Sequence, residues 1–276
     1  MVTNYQYSFP KSNLRPYIRF FWVAEGLATE NKPYIHSRFP GGFCDLLFVY
    51  KGSFIDIETG VEFKEGDIIV GGPKDVLTRY LVKENFGTFA ICLYPYVLPI
   101  LTSFSGESLL NQVLESSYFN NLHVLEDRLR LTKTNQERIQ VSSETLNQIL
   151  IKRDTHDDWF LSMVRSFYKQ VNLGFNELLE NSNVSLRHFQ RKFKDYTGFT
   201  PKKLQRIIRL HSAVRGVAPQ NLTKLALDSG FYDQAHFIND FKKVSGGLTP
   251  RDYFKRQDEL RWRRLGANVA FFQFDK

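Results

Sequence analysis

The sequence predicts an α+β chain in two parts: a β-rich N-terminal domain that ends in helices, followed by an all-helical C-terminal domain. Three observations predict it. The first hundred residues carry short aromatic and β-branched runs cut by turn signals. From about Val97 the apolar spacing becomes helical, and the last third contains an internal repeat with a period of about 48 residues.

The strands come first. Arg19 to Val23, Cys44 to Tyr50, Ile68 to Val70 and Thr88 to Tyr94 read as strands between turn signals such as Pro40-Gly41-Gly42, Lys51-Gly52-Ser53, Thr59-Gly60, Glu65-Gly66-Asp67 and Gly71-Gly72-Pro73. Many short strands at this spacing favour a sandwich or small barrel. Beyond Val97, Leu122, Leu125 and Leu129, then Leu146, Ile149 and Leu150, repeat at helical intervals, and the helical reading continues to Gln170. Polar stretches at Lys133 to Gln136 and Lys152 to Asp158 are expected loops. The N-terminal domain is placed at residues 1–160.

The repeat lies in the next segment. His188-Phe189-Gln190-Arg191-Lys192-Phe193-Lys194 returns as His236-Phe237-Ile238-Asn239-Asp240-Phe241-Lys242, each followed by a glycine (Gly198, Gly246) and then Thr-Pro (Thr200-Pro201, Thr249-Pro250). Phenylalanines four apart share one helical face and are expected in a core, together with Leu186, while the long polar side chains point elsewhere. The glycine ends each helix, and Thr-Pro supplies an N-cap and an N1 proline for the next. A shorter helix precedes each copy, marked by Phe175, Leu178 and Leu179 in the first and by Leu222, Leu225 and Ala226 in the second, with Gly230 in the tight turn of the second. Helix, turn and longer helix, twice over, are joined by a helix from Pro201 to about Arg215. These two helix-turn-helix units fill residues 165–255, and residues 256–276 form a basic tail.

Charge follows the same division. Residues 1–159 hold 16 Lys/Arg and 19 Asp/Glu, a balance of −3, whereas residues 160–276 hold 21 and 10, a balance of +11, which together give the net +8 of the 276-residue chain. A basic module attached to a near-neutral one suits a polyanion binder with a separate sensor or partner domain, although a solvated basic surface is the plain alternative.

With the repeat in view, Leu222 to Phe254 closely resembles the second helix-turn-helix of AraC/XylS-type transcription regulators, and Phe175 to Leu204 resembles the first. The resemblance covers about 80 residues and includes Arg209-x-x-x-Ala213 of the linker helix and the Gly230-Phe231 turn. Three positions depart from the pattern: Leu179 for a small residue, Gly216 for an apolar one, and Ser245-Gly246-Gly247-Leu248, one residue longer than Thr197-Gly198-Phe199. The N-terminal region is more weakly similar to an uncharacterised domain found in front of such units, through Leu14-Arg15-Pro16-Tyr17-Ile18, Phe21-Trp22 and Phe39 to Phe48, with Gly41 where an aspartate is expected. That resemblance implies a cupin-like barrel that binds a small effector or dimerises.

The resemblance also implies site residues. Each second helix of a unit enters the major groove, the two grooves roughly 34 Å apart on one side of the duplex. Base-facing positions are then Arg187, Gln190 and Arg191 in the first unit and Gln234, Ala235 and Asn239 in the second. Arginine can bond guanine O6 and N7, and Gln or Asn adenine N6 and N7, so the first unit is expected to carry more specificity. Lys194, Lys202, Lys203, Arg206, Lys242, Lys243 and Arg251 are expected on phosphates, and Asp240 would repel phosphate if it faced the backbone. His188 and His236 are read as structural or backbone-contacting.

Other classes find little support. Two cysteines, Cys44 and Cys92, build neither a disulfide framework nor a four-thiolate zinc site, and they are too few for the cysteine chemistry of the DNA-repair relatives that share this unit. His36 and His123 do not make the His-x-His pattern of a cupin metal site, and no phosphate loop or nucleophile elbow is present, so no metal, cofactor or catalytic residue is expected. Pro95 and Pro99 interrupt the longest apolar stretch, which argues against a membrane span and for a cytoplasmic protein. The reading is a sequence-specific transcription regulator whose partners are double-stranded DNA, a small-molecule effector, RNA polymerase if it activates, and a second copy of the chain. The competing reading is a small-molecule-binding or enzymatic barrel with an accessory nucleic-acid module.

Overall fold

The computed structural model describes residues 2–119, 122–151, 158–169, 184–214 and 221–259. Ten strands come first: β1 (Val2–Ser8), β2 (Ile18–Gly26), β3 (Tyr34–Arg38), β4 (Cys44–Lys51), β5 (Ser53–Asp56), β6 (Glu62–Lys64), β7 (Ile68–Gly71), β8 (Thr78–Val82), β9 (Phe86–Leu93) and β10 (Val113–Glu115). Nine described α-helices follow or interrupt them: α1 (Leu98–Thr102), α2 (His123–Arg130), α3 (Asn135–Ile151), α4 (Asp158–Lys169), α5 (Leu186–Thr197), α6 (Pro201–Ala213), α7 (Leu222–Asp228), α8 (Gln234–Val244) and α9 (Pro250–Glu259).

The strands form two antiparallel sheets, one of six strands in the order β1-β2-β9-β4-β7-β10 and one of four in the order β3-β8-β5-β6. The six-stranded sheet is covered on both faces. In β9 the odd positions Phe89, Ile91 and Leu93 turn to the helices, while Phe86, Thr88 and Cys92 turn to the smaller sheet and the space between the sheets. Burial on two sides explains why FGTFAICL is almost unbroken apolar sequence instead of alternating. Gly42, Gly52, Gly60 and Gly66, each within a turn signal read from the sequence, take left-handed φ.

Helical spacing after Val97 is realised in α2 and α3, where Leu125, Leu129, Leu146 and Leu150 are buried. The switch is not complete, however. β10 lies beyond Val97 and completes the larger sheet by pairing Leu114 with Val70, a strand three residues long whose existence depends on that edge. The expected loop at Lys133 to Gln136 is shorter than its polar composition suggests. Thr134 caps α3 through Glu137 N–H, and Glu137 in return accepts from the N–H of Lys133 and Thr134, so Asn135 and Gln136 already belong to the helix.

One hydrophobic core crosses the expected domain boundary near residue 160. Phe160 and Phe167 of α4 meet Phe189 and Phe193 of α5 at ring separations of 6.0 and 5.5 Å, and Leu204, Ile207 and Ile208 of α6 join the same cluster as the six-stranded sheet. A second cluster gathers Leu210 and Ala213 of α6 with Phe231, Phe237, Phe241, Tyr253 and Phe254; Phe39 of the β-rich region is inserted among them. The linker helix α6 therefore belongs to both cores.

Candidate nucleic-acid interface and adjoining cavity

Both longer helices of the repeat are closed by local chemistry legible in the sequence. Ser185 accepts from the His188 N–H to cap α5, Asp233 accepts from the His236 N–H to cap α8, and Thr200 accepts from the Lys203 N–H ahead of Pro201 in α6. α5 stops at Gly198, whose φ of 76° lets its N–H reach the Lys194 carbonyl. α8 stops differently: Ser245 is the C-cap, and Gly246 and Gly247 both take left-handed φ, which accommodates the extra residue of this turn. α6 ends at Ala213, two residues short of the expected end.

On α5, Phe189 and Phe193 are buried and Arg187, Gln190 and Arg191 are exposed, with the Arg191 guanidinium 3.4 Å from His188 Nδ1. Leu186, expected in the core with the two phenylalanines, is 41% exposed instead. It is the first residue of the helix, and its Cα–Cβ bond tilts toward the N-terminus, off the end of the packed stripe. Phe175, Leu178 and Leu179, which mark the expected shorter helix of the first unit, and Gly216, Arg261, Arg263 and Arg264 lie outside the described residues.

On α8, Ala235 and Asn239 are exposed, while Gln234 is half-buried and its side-chain carbonyl accepts from the Thr223 hydroxyl of α7 at 2.7 Å. Asp240 does not face outward. It is buried, with Arg206 Nε at 3.1 Å, His236 Nε2 at 3.2 Å and Lys243 Nζ at 3.3 Å. Arg206 and Lys243, both expected on phosphate, here meet the inward-facing Asp240, which ties α8 to the linker helix. Arg209 makes a second tie, its guanidinium donating to the Gly230 carbonyl at 3.2 Å across the tight turn. Gly230 has φ 79°, and a Cβ there would stand 3.3 Å from Arg209 Nε.

Among the remaining basic residues, Lys202, Lys242 and Arg251 are exposed. Lys194 pairs with Glu107, and Lys203 pairs with Asp75, both carboxylates belonging to the β-rich region. Nothing in the local sequence around Asp75 or Glu107 marks them as partners of the repeat.

Between the two sheets lies a cavity of about 240 Å³. Its walls are mainly apolar, with Leu47, Phe54, Phe63 and Val82 among them, and its polar groups are arranged around one ion pair. Asp45, 2% exposed, pairs with Arg38 and accepts from Trp22 Nε1 at 3.2 Å. Burial, followed by the nearby Arg38 charge, pushes the His36 imidazole down to about 4, so it is neutral at pH 7. Burial raises the Tyr80 phenol to about 12. His211 and Val214 at the end of α6, and Tyr253 and Phe254 of α9, complete the lining. The helical region thus forms one side of a cavity in the β-rich region.

A duplicated capped helix with exposed long polar side chains, each copy packed on its own core, is the geometry of a paired helix-turn-helix DNA-binding region. Residues 178–256 match the helix-turn-helix domain family, of AraC type, and residues 6–115 match a domain of unknown function (DUF6597). The C-terminal region is therefore similar to AraC-type helix-turn-helix domains, and the domain of unknown function precedes it in the chain. No curated protein matches the chain. Among solved structures it is similar to ToxT from Vibrio cholerae, at 14% identity over 92% of this chain and 98% of that one, with a TM-score of 0.47. It is also similar to the AraC-like transcriptional activator CuxR, at 11% identity over 91% and 90% with a TM-score of 0.33, and to the xylose-binding transcription activator XylR, at 14% over 44% and 39% with a TM-score of 0.31. Among the described residues no helix is long and apolar enough to cross a membrane.

Proposed function

We propose that the protein is an effector-controlled, sequence-specific regulator in which the cavity of the β-rich region is read directly by the second helix-turn-helix unit. One observation carries this: Val214, Tyr253 and Phe254 belong to the core that holds α8, and the same three residues line the cavity beside His211 of α6. A molecule that fits the cavity differently in two placements of that unit shifts their balance by its differential affinity. The volume is larger than the roughly 150 Å³ that holds benzene and below the roughly 300–1,000 Å³ of drug-sized sites, so the effector is small. Its body is apolar, and a polar group meets the Arg38–Asp45 pair.

In this reading the protein binds its effector and does not transform it, which the match of residues 178–256 to a helix-turn-helix domain supports. The functional division is 1–160 for effector binding or dimerisation, 165–255 for DNA and 256–276 for a basic tail. Arg187, Gln190, Arg191, Gln234, Ala235 and Asn239 read bases, and Lys194, Lys202, Lys203, Arg206, Lys242, Lys243 and Arg251 anchor phosphates. The setting is cytoplasmic, and the remaining partners are RNA polymerase and a second copy of the chain.

The test is a genome-wide footprint of the full chain with and without a metabolite panel, repeated for Tyr253→Ala. A compound that alters the footprint of the parent and no longer alters that of Tyr253→Ala supports direct reading of the cavity. Unchanged footprints across the panel, or an unimpaired response in Tyr253→Ala, count against it.

A further inference from the structure

The face of the first unit that meets the β-rich region is built from backbone contact flanked by charge. Gly106 N–H donates to the Asp195 carbonyl at 2.5 Å, and a Cβ at Gly106 would lie 2.5 Å from the Tyr196 carbonyl oxygen. A Cβ at Gly198 would lie 2.6 Å from the Gly106 carbonyl oxygen. Two glycines thus allow a loop of the β-rich region to lie directly against the turn between α5 and α6.

On either side of this contact a carboxylate meets a lysine of the first unit. Glu107 reaches Lys194 in the last turn of α5, and Asp75 reaches Lys203 in the first turn of α6. Asp75 is held for the purpose. Its Oδ1 accepts from Asn111 Nδ2 at 2.7 Å, and its own N–H donates to Asn111 Oδ1 at 3.1 Å, which leaves Oδ2 directed at Lys203. Asn111 takes φ 61°, a left-handed conformation in which Asn is among the more tolerated residues, and its N–H donates to the Pro73 carbonyl at 2.8 Å. The segment that carries Asp75 joins β7 to β8, and Ile69 and Tyr80 of those strands line the cavity.

A carboxylate oxygen on a lysine ammonium makes the same charge-assisted bond as a phosphate oxygen would. Lys194 and Lys203 are two of the residues assigned to phosphate, whereas Arg187, Gln190 and Arg191, assigned to bases, stay exposed. The geometry points to an acidic clasp: Asp75 and Glu107 occupy two DNA-backbone anchors of the first unit and must be displaced for the chain to bind DNA at full affinity. The inference rests on the DNA-binding reading above. The clasp acts on affinity for every sequence and leaves sequence preference intact, because phosphate contacts carry position and base contacts carry specificity.

The experiment measures binding of the full chain to a random-sequence 40-base-pair duplex by fluorescence anisotropy at several salt concentrations. D75N/E107Q keeps side-chain size and removes both charges. It should tighten binding about 5- to 20-fold at low salt and steepen the log–log salt slope by about 1 to 2, since two lysines no longer enter the complex already neutralised. E30Q/E65Q removes the same charge from exposed positions of the same region and should change affinity far less. In a K194Q/K203Q background the gain from D75N/E107Q should vanish. A gain no larger than that of E30Q/E65Q, or one that persists without the two lysines, overturns the clasp. A parent chain that binds no duplex at the lowest salt overturns the DNA-binding reading, and the clasp falls with it.

Discussion

The two helix-turn-helix units come from one duplicated sequence pattern, yet they are held in the molecule in different ways. The phenylalanine stripe of α5 shares a core with the six-stranded sheet and α4, so the first unit is an extension of the β-rich region. The stripe of α8 has its own core, which reaches the β-rich region through Phe39, packed 5.3 Å from Phe241 and 5.4 Å from Tyr253, and through Leu77, whose N–H donates to the Val244 carbonyl at 2.8 Å. The reading faces differ as well. Arginines dominate the exposed face of α5, whereas α8 offers Ala235 and Asn239, with Gln234 engaged by Thr223 and Asp240 turned inward. Duplication supplied two similar helices, and their surroundings place one in the core of the six-stranded sheet and the other in a separate core that borders the cavity.

The largest effects come from the two stripes. Phe193→Ala and Phe241→Ala each empty a fully buried site and should each cost about 3–5 kcal/mol locally. In a Trp262→Phe background, Trp22 and Trp159 report on the joint core, since Trp22 packs against that core and Trp159 lies 5.7 Å from Phe160 within it. Phe193→Ala should therefore move the fluorescence-detected urea midpoint by its full cost. Phe241→Ala should shift it by less than about 1 kcal/mol while circular dichroism shows early loss of part of the helix. Equal shifts in fluorescence would mean that the two units unfold as one block.

Base reading should show the same asymmetry at smaller size. On a duplex selected from a random pool by the parent chain, Arg191→Ala should cost about 1–3 kcal/mol and relax preference at one base pair. Asn239→Ala should cost no more than about 1 kcal/mol, because α8 presents fewer base-reading groups. Titrations of both variants against the selected duplex and its single-base variants decide the matter, and a greater loss from Asn239→Ala would make the second unit the principal reader.

How much of this the sequence discloses depends on the range of the interaction. The caps Ser185, Thr200 and Asp233, the stop at Gly198 and the buried pairs Phe189/Phe193 and Phe237/Phe241 are local, so spacing alone places them. The strands around Cys44 and Phe89 are legible because β-branched and aromatic runs end at turn signals. β1 is not, because VTNYQYS alternates polar residues along the edge of a sheet. Phe39 in the second core, Asp75 on Lys203 and the pairing of Arg206 with Asp240 join positions far apart in the chain or on separate helices, and no periodicity records them. The cavity is invisible for the same reason: its lining comes from strands of both sheets and from two helices about 200 residues downstream.

The smallest effects sharpen the comparison most, because the local chemistry is matched. Ser185→Ala and Asp233→Ala each remove an N-cap and should cost about 1 kcal/mol of helix stability. Asp233 has the stronger bond, a carboxylate on an N–H at 2.7 Å beside the positive end of the helix dipole, against 3.3 Å for the Ser185 hydroxyl. Its loss should be the larger of the two when α8 is followed by amide hydrogen exchange. At the tryptophan-detected midpoint the order should reverse: α5 is packed into the core that Trp22 and Trp159 report, so Ser185→Ala registers there and Asp233→Ala scarcely does. If Asp233→Ala moved that midpoint as far as Ser185→Ala, fraying of α8 would be felt in the β-rich region. The contact through Phe39 and Leu77 would then couple the second unit to the cavity as tightly as the shared core couples the first.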